Sequence, residues 1–142
     1  MTHLDIEYVN SISCTDYNHL RKSVGWNEIA VRQAQIGINN SAYIVSAIYK
    51  GKTVGMARVV SDGGYVVILV DVIVLPEFQG KGIGKTMLNR VMEYIRSSLA
   101  EGEGVFVNLM AAKGKEAFYR QFGFIERPTD QLGAGMTQWI SK

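Results

Sequence analysis

The sequence is short of the residues that build covalent or metal-held frameworks. Among 142 residues there is one cysteine, Cys14, so no internal disulfide can form. No Cys/His/Asp constellation accompanies it, and a half-buried structural thiol is expected rather than a nucleophile. The two histidines, His3 and His19, lie near the N-terminus without the spacing of a ligand set. Both read as surface residues, and no metal site is expected. Long apolar runs are missing too: nothing approaches the roughly 18 residues of a membrane span. The segment Met1-Thr2-His3-Leu4-Asp5 lacks the basic and apolar pattern of a signal peptide, which makes the cytoplasm the expected compartment. Charge of one sign is scarce as well. Fifteen Lys and Arg against thirteen Asp and Glu give a net charge of +2, and the basic residues form no stripe interleaved with aromatics. A nucleic-acid partner is therefore not expected.

What is present suits one ordinary globular domain over residues 1–142, with 47% hydrophobic and 20% charged residues. Its most informative stretch is 65–86. Tyr65 to Leu75 is a β-branched apolar run too continuous for a half-exposed strand, which predicts a strand covered on both faces. Pro76 ends it. Gly80, Gly82 and Gly84 follow at alternate positions and lead into Met87, Leu88, Val91, Met92 and Ile95 at helical spacing. A strand, a glycine-rich turn and a helix in that order present unpaired N–H groups at the electropositive end of the helix. Glycine admits positive φ and close approach, and Lys81 and Lys85 add mobile charge, so a bound phosphate or pyrophosphate is expected there.

Three phosphate motifs compete for these residues. A P-loop requires G-x-x-x-x-G-K-[ST]; Gly84-Lys85-Thr86 supplies its end, but Gln79 stands where the first glycine must be. A dinucleotide fingerprint requires G-x-G-x-x-G near the start of a domain, whereas these glycines read G-x-G-x-G in mid-chain. The pattern Q/R-x-x-G-x-G/A is met in full by Gln79 to Gly84.

Along the rest of the chain, loose alternation over 4–12 predicts an edge strand. Thr15 or Asp16 is placed to cap a short helix reaching Ser23, and Asn27 to cap a second over 28–37. Tyr43–Tyr49, 53–61 and the long run form an antiparallel meander, turning at Lys50-Gly51-Lys52 and at Asp62-Gly63-Gly64. A helix over 83–99 and a buried strand over 105–109 complete a parallel crossover. A short helix ending at Gly123, further strand residues, and a last strand over 136–140 follow. The class is α+β mixed, without internal repeats.

The loop Gln79–Gly84 and the later Ala117-Phe118-Tyr119-x-x-Phe122-Gly123-Phe124 together resemble the GNAT superfamily of N-acetyltransferases, and the element order is similar over nearly the whole chain. Ser23-Val24-Gly25-Trp26 and Gly133-Ala134-Gly135-Met136 are similar to small bacterial members. The resemblance implies a largely antiparallel sheet of six to seven strands, with the fourth and fifth parallel and splayed, and about four helices. It implies acetyl-CoA as cosubstrate and direct attack of a small-molecule or peptide primary amine on the thioester in a ternary complex. Val72, Ile73 and Val74 would pair with the pantetheine arm, and Gln79, Gly80, Lys81, Gly82, Ile83, Gly84 and Lys85 would hold the pyrophosphate. Asn108 and Phe118 complete the cofactor contacts. The Val72 N–H would donate to the carbonyl oxygen, and Tyr119 would donate a proton or hydrogen bond to the departing sulfur.

Asp71 is the one ionisable residue near the carboxylate position common in that family, here among Val67, Ile68, Leu69 and Val70. It is expected either to pair with a charge, Arg58 being the nearest candidate, or to serve the amine as base. Simple alternation sets it on the opposite face from Val70 and Val72 unless a bulge resets the phase. Trp26, Tyr43, Arg58 and Trp139 are candidate acceptor-wall residues, with Trp26 and Arg58 foremost. Two rivals stand beside the enzyme: a non-catalytic acyl-CoA-binding module of the same fold, and a nucleotide-binding protein using Lys85-Thr86. A homodimer is compatible with the final strands.

Overall fold

The computed structural model describes residues 4–142. The reading of His3, and that of Met1 to His3 in the leader segment, lie outside them. The chain divides into two compact units, one through Asn108 and the other from Leu109 to Lys142.

The first unit is built on a five-stranded sheet in chain order: β1 (Glu7–Val9), β2 (Tyr43–Tyr49), β3 (Lys52–Ser61), β4 (Val66–Val74) and β5 (Phe106–Asn108). The first four are antiparallel neighbours, and β4 and β5 are parallel. The β2–β3 turn has positive φ at both Lys50 (50°) and Gly51 (77°), as a two-residue hairpin turn following the strand twist requires. Three helices cover the sheet: α1 (Cys14–Ser23), α2 (Val31–Asn39) and α3 (Ile83–Ser97). The predicted caps move. Ser13 caps α1 by accepting the Asp16 N–H at 3.0 Å, and α2 starts at Val31 behind Ala30 instead of behind Asn27.

One layer of the core lies between α3 and the sheet; buried Tyr17 and Leu20 of α1 and Ala34 of α2 belong to the rest of it. Ile83, Met87, Leu88, Val91 and Ile95 form the buried stripe of α3, against Val45, Val59, Leu69 and other buried strand residues. Met92 is only half-buried. Gly55 on β3 is where this packing is closest: a Cβ there would meet the Ile73 carbonyl oxygen at 3.1 Å and the Met87 Cε at 3.2 Å. Glycine at that point lets the first turns of α3 settle on β3 and β4, which fixes where the helix begins.

In the second unit α4 (Glu116–Arg120) carries an aromatic cluster. Phe118 meets Tyr119 and Phe122 edge-on at 5.1 and 5.4 Å, and Tyr119 meets Phe124 at 6.2 Å. The following chain turns at Thr129–Leu132, where the Thr129 N–H donates to the Leu132 carbonyl. The expected strand over 136–140 does not form, nor do strand residues after Gly123. The described sheet has five strands, not six to seven. Alternation makes a strand only where another strand's edge accepts its amides. Nothing in this unit offers one, and Met136 (89%), Trp139 (84%) and Ile140 (84%) stand exposed.

Candidate active site

The glycine loop is as the spacing suggests. A short 3₁₀ turn, Pro76–Phe78, leads to Gly80 (φ 76°) and Gly82 (φ 85°), and Gly82 is the N-cap of α3. No heavy atom lies within 4 Å of a Cβ built on either glycine. Their backbone angles, not crowding, are what call for glycine. No side chain caps α3, and the first backbone bond of the helix is from the Thr86 N–H to the Gly82 carbonyl at 3.0 Å. The amides of Ile83, Gly84 and Lys85 are thus left as donors at the positive end of a 15-residue helix, a place suited to an anion. Lys81 and Lys85 are exposed beside them. Gln79 donates its side-chain amide to the Val74 carbonyl at 2.9 Å and so ties the loop to the end of β4.

That strand has an unusual edge. Strand β5 pairs with β4 only from Val66 to Ile68, where Asn108 stands opposite Ile68. From Leu69 to Val74 no described strand pairs on that side, so the backbone groups of Val72 and Val74 that point away from β3 have no ladder partner. On the other side the register slips: Arg58 faces Val70, but Met56 faces Ile73. Between those pairs one residue of β3, Ala57, opposes two of β4, Asp71 and Val72, which is a bulge of one residue. Asp71 sits within it at φ 52°. An L-residue there costs about 1–2 kcal/mol, less for Asp than for the valines around it.

The bulge resets the phase and swings the Asp71 carboxylate to the side of Arg58. There Asp71 Oδ2 accepts from Tyr17 Oη at 2.7 Å and from Arg58 Nε at 3.0 Å, with Arg58 Nη2 in ion-pair contact at 3.0 Å, while Oδ1 accepts from Arg21 Nη1 at 3.0 Å. The Arg21 guanidinium lies 5.4 Å from the Trp26 ring centroid and 5.8 Å from that of Tyr17. Burial, and next the hydrogen bond and charge of Asp71, push the Tyr17 phenol upward against the opposing pull of the two arginines. The structure therefore gathers three residues singled out from sequence, Trp26, Arg58 and Asp71, around two that were not, Tyr17 and Arg21. Tyr17 and Arg21 are one helical turn apart and flank Leu20 on the buried side of α1. An arginine on an otherwise inward-facing helical stripe was the available signal.

The other candidates separate. Tyr43 stacks on Tyr94 of α3 at 4.5 Å, across the sheet from Arg58, and Trp139 is exposed. Cys14 is half-buried, its thiol donating to the Val31 carbonyl at 3.7 Å. In the second unit burial pushes the Tyr119 phenol up to about 12. A cavity of about 340 Å³, lined by Val59, Tyr65, Tyr94 and Glu103 among others, includes none of the candidate residues.

Comparison with known proteins places these features. A family profile described as an acetyltransferase (GNAT) domain matches residues 40–126. The chain is 33% identical over 127 residues to an uncharacterized N-acetyltransferase, ycf52, of Pyropia yezoensis, covering 87% of this chain and 71% of that one. Among solved structures, a probable acetyltransferase of unknown function from meticillin-resistant Staphylococcus aureus superposes with a TM-score of 0.85 at 31% identity, over 96% of this chain and 100% of the other. AAC(6')-Iy in complex with the bisubstrate analog CoA-S-monomethyl-acetylneamine shares the fold at a TM-score of 0.66 and 17% identity, covering 99% of each chain. With the profile spanning the meander, the glycine loop, α3 and α4, the chain belongs to the GNAT family and is an N-acetyltransferase.

Proposed function

We propose that the chain moves an acetyl group from acetyl-CoA to a primary amine of a small molecule or peptide, by direct attack while both substrates are bound. The observation that carries this is the uncapped first turn of α3 behind Gly80 and Gly82, next to the unpaired stretch of β4. Its donors suit a pyrophosphate, and a CoA-linked analog is what AAC(6')-Iy, alike in fold, holds. Backbone amides from Gln79 to Lys85 would hold the pyrophosphate, with Lys81 and Lys85 adding charge. Val72, Ile73 and Val74 would offer backbone partners to the pantetheine arm, and Asn108 and Phe118 further contacts.

Attack by a neutral amine places negative charge on the thioester oxygen, and a Val72 N–H aimed there would stabilise it. The C–S bond then breaks, the proton shed by the attacking nitrogen passes to solvent, and the sulfur departs as thiolate. Tyr119 would donate to it. With its phenol pushed up to about 12 by burial, Tyr119 is fully protonated at neutral pH, as a donor must be. It is also a weaker acid than an ordinary thiol of about 8.5, so it serves by hydrogen bonding rather than by complete proton release. Asp71, its oxygens taken by two arginines and a tyrosine, serves in this reading as the anchor of the bulge rather than as the base. Trp26 and Arg58 border the acceptor side. The lone thiol, Cys14, suits a reducing compartment such as the cytoplasm.

The test is calorimetry with acetyl-CoA and with ATP, followed by thiol release over a panel of amines. Binding of acetyl-CoA alone together with amine-dependent thiol release is expected. Binding without turnover of any amine would favour an acyl-CoA-binding module, and binding of ATP alone would sink the reading. Tyr119→Phe should lower kcat by about 10²- to 10⁴-fold with little change in acetyl-CoA affinity. Because the phenol stays protonated to about pH 12, no loss of activity below about pH 10 should trace to Tyr119. A native state that holds this proton while the unfolded chain, near 10, has released it loses stability as pH rises through that window. Ultraviolet absorbance titration should show Tyr119 ionising late.

A further inference from the structure

Arg21 is the half-used cation of the Asp71 cluster. A guanidinium has five N–H donors. Nε of Arg21 gives one to the Asn27 carbonyl at 2.8 Å and Nη1 gives one to Asp71 Oδ1 at 3.0 Å, while no described residue accepts from Nη2. Arg58 is different. Its Nε and Nη2 meet Asp71, and its Nη1 serves the Gly37 carbonyl and the Ser41 hydroxyl, both at 3.2 Å.

Charge points the same way. Two guanidiniums share one carboxylate, and the three side chains are only 10% (Arg21), 15% (Arg58) and 9% (Asp71) exposed. One positive charge is left over in a place where an uncompensated charge is costly. No buried side-chain nitrogen or oxygen among the described residues lacks a partner, so Nη2 of Arg21, from which no described residue accepts, is not a sealed-off orphan. The flanking rings of Tyr17 and Trp26 restrict its plane. A planar cation held in place, with a free edge and surplus charge, is prepared for a planar anion taken in two parallel hydrogen bonds.

We propose that the free edge of Arg21, backed by Trp26, is a subsite for a carboxylate on the acceptor, so that the preferred acceptors are amines that carry a carboxylate, free amino acids above all. This rests on the acetyl-transfer reading above. Asp71, which Arg21 touches, is the chain neighbour of Val72, whose N–H that reading gives to the thioester carbonyl. An amine at that carbonyl and an anion on Arg21 therefore fit within one small molecule. Arg21 is then a specificity-determining residue, distinct from the groups that act on the thioester.

The experiment compares kcat/KM for matched acceptors of similar amine basicity: 4-aminobutanoate against 4-aminobutanamide, and a peptide beginning with glutamate against one beginning with glutamine. The wild type should favour the carboxylate member by about ten- to hundredfold, mostly through KM. The free acid pair and the peptide pair show which source of the carboxylate fits. Arg21→Gln should bring the ratio toward one, and Arg21→Lys should restore part of it. A wild-type ratio of one or less in both pairs would overturn the inference without recourse to any variant, which matters if Arg21→Gln does not fold. So would an unchanged ratio in a folded Arg21→Gln. Calorimetry separates the two levels: no acetyl-CoA binding overturns the acetyl-transfer reading and this subsite with it, whereas binding and turnover indifferent to the carboxylate overturn the subsite alone.

Discussion

The glycine loop and the Asp71 cluster are near neighbours in the chain and are made by opposite means. The loop works with backbone: contiguous residues, exposed from Gln79 to Gly82, with amides left over because Gly82 has no side chain to cap α3. The cluster works with side chains brought from α1, the segment after it, β3 and β4, nearly all withdrawn from water. A site made of backbone tolerates change in most of its side chains and is sensitive at the few residues that need positive φ. A site made of buried charges is sensitive at every member, because each removal strands the others.

Asp71→Asn is the sharpest way to break that contrast. Asn tolerates positive φ and keeps the shape, so the loss isolates the charge. Leaving two nearly buried guanidiniums without their carboxylate should cost about 3–5 kcal/mol, read by urea denaturation; a change under about 1 kcal/mol would show that charge does not hold the cluster. Gly82→Ala should cost less, about 1–2 kcal/mol, since there is space for the methyl but an L-residue at φ 85° is strained. The same change should weaken acetyl-CoA binding, and a loop indifferent to it in both assays would lose its claim to be a backbone site. The smallest effect on the fold belongs to Lys81→Ala with Lys85→Ala. Stability should be unchanged, while acetyl-CoA affinity falls at low salt and the deficit shrinks as salt is added, as for exposed charges.

The two regions were also unequally legible. The strand, glycine turn and helix around Gln79 to Gly84 could be read because their physics is local: a strand ended by Pro76, glycines that free the backbone, and a helix with an apolar stripe. The three-strand meander was readable for the same reason, and its turn at Lys50-Gly51 needs nothing from the rest of the chain. Asp71 could be recognised as a problem, a carboxylate in an apolar strand, but not solved. Its partners Tyr17 and Arg21 lie 54 and 50 residues away in sequence, and the bulge that turns it toward them depends on the register of β3 with β4. The last strand was misread because alternation over 136–140 states what those residues would do beside a partner edge, and no residue pattern says whether the edge exists.

By itself, then, the sequence determined the helices, the antiparallel meander and the glycine turn that opens α3, since each follows from contacts between residues close in the chain. Tertiary structure alone decided the strand count, the bulge, the free edge of β4 and the company that Asp71 keeps. Those depend on pairing register and on burial shared by distant segments. The free energy of a buried charge is set by what surrounds it, and only the folded chain determines its surroundings.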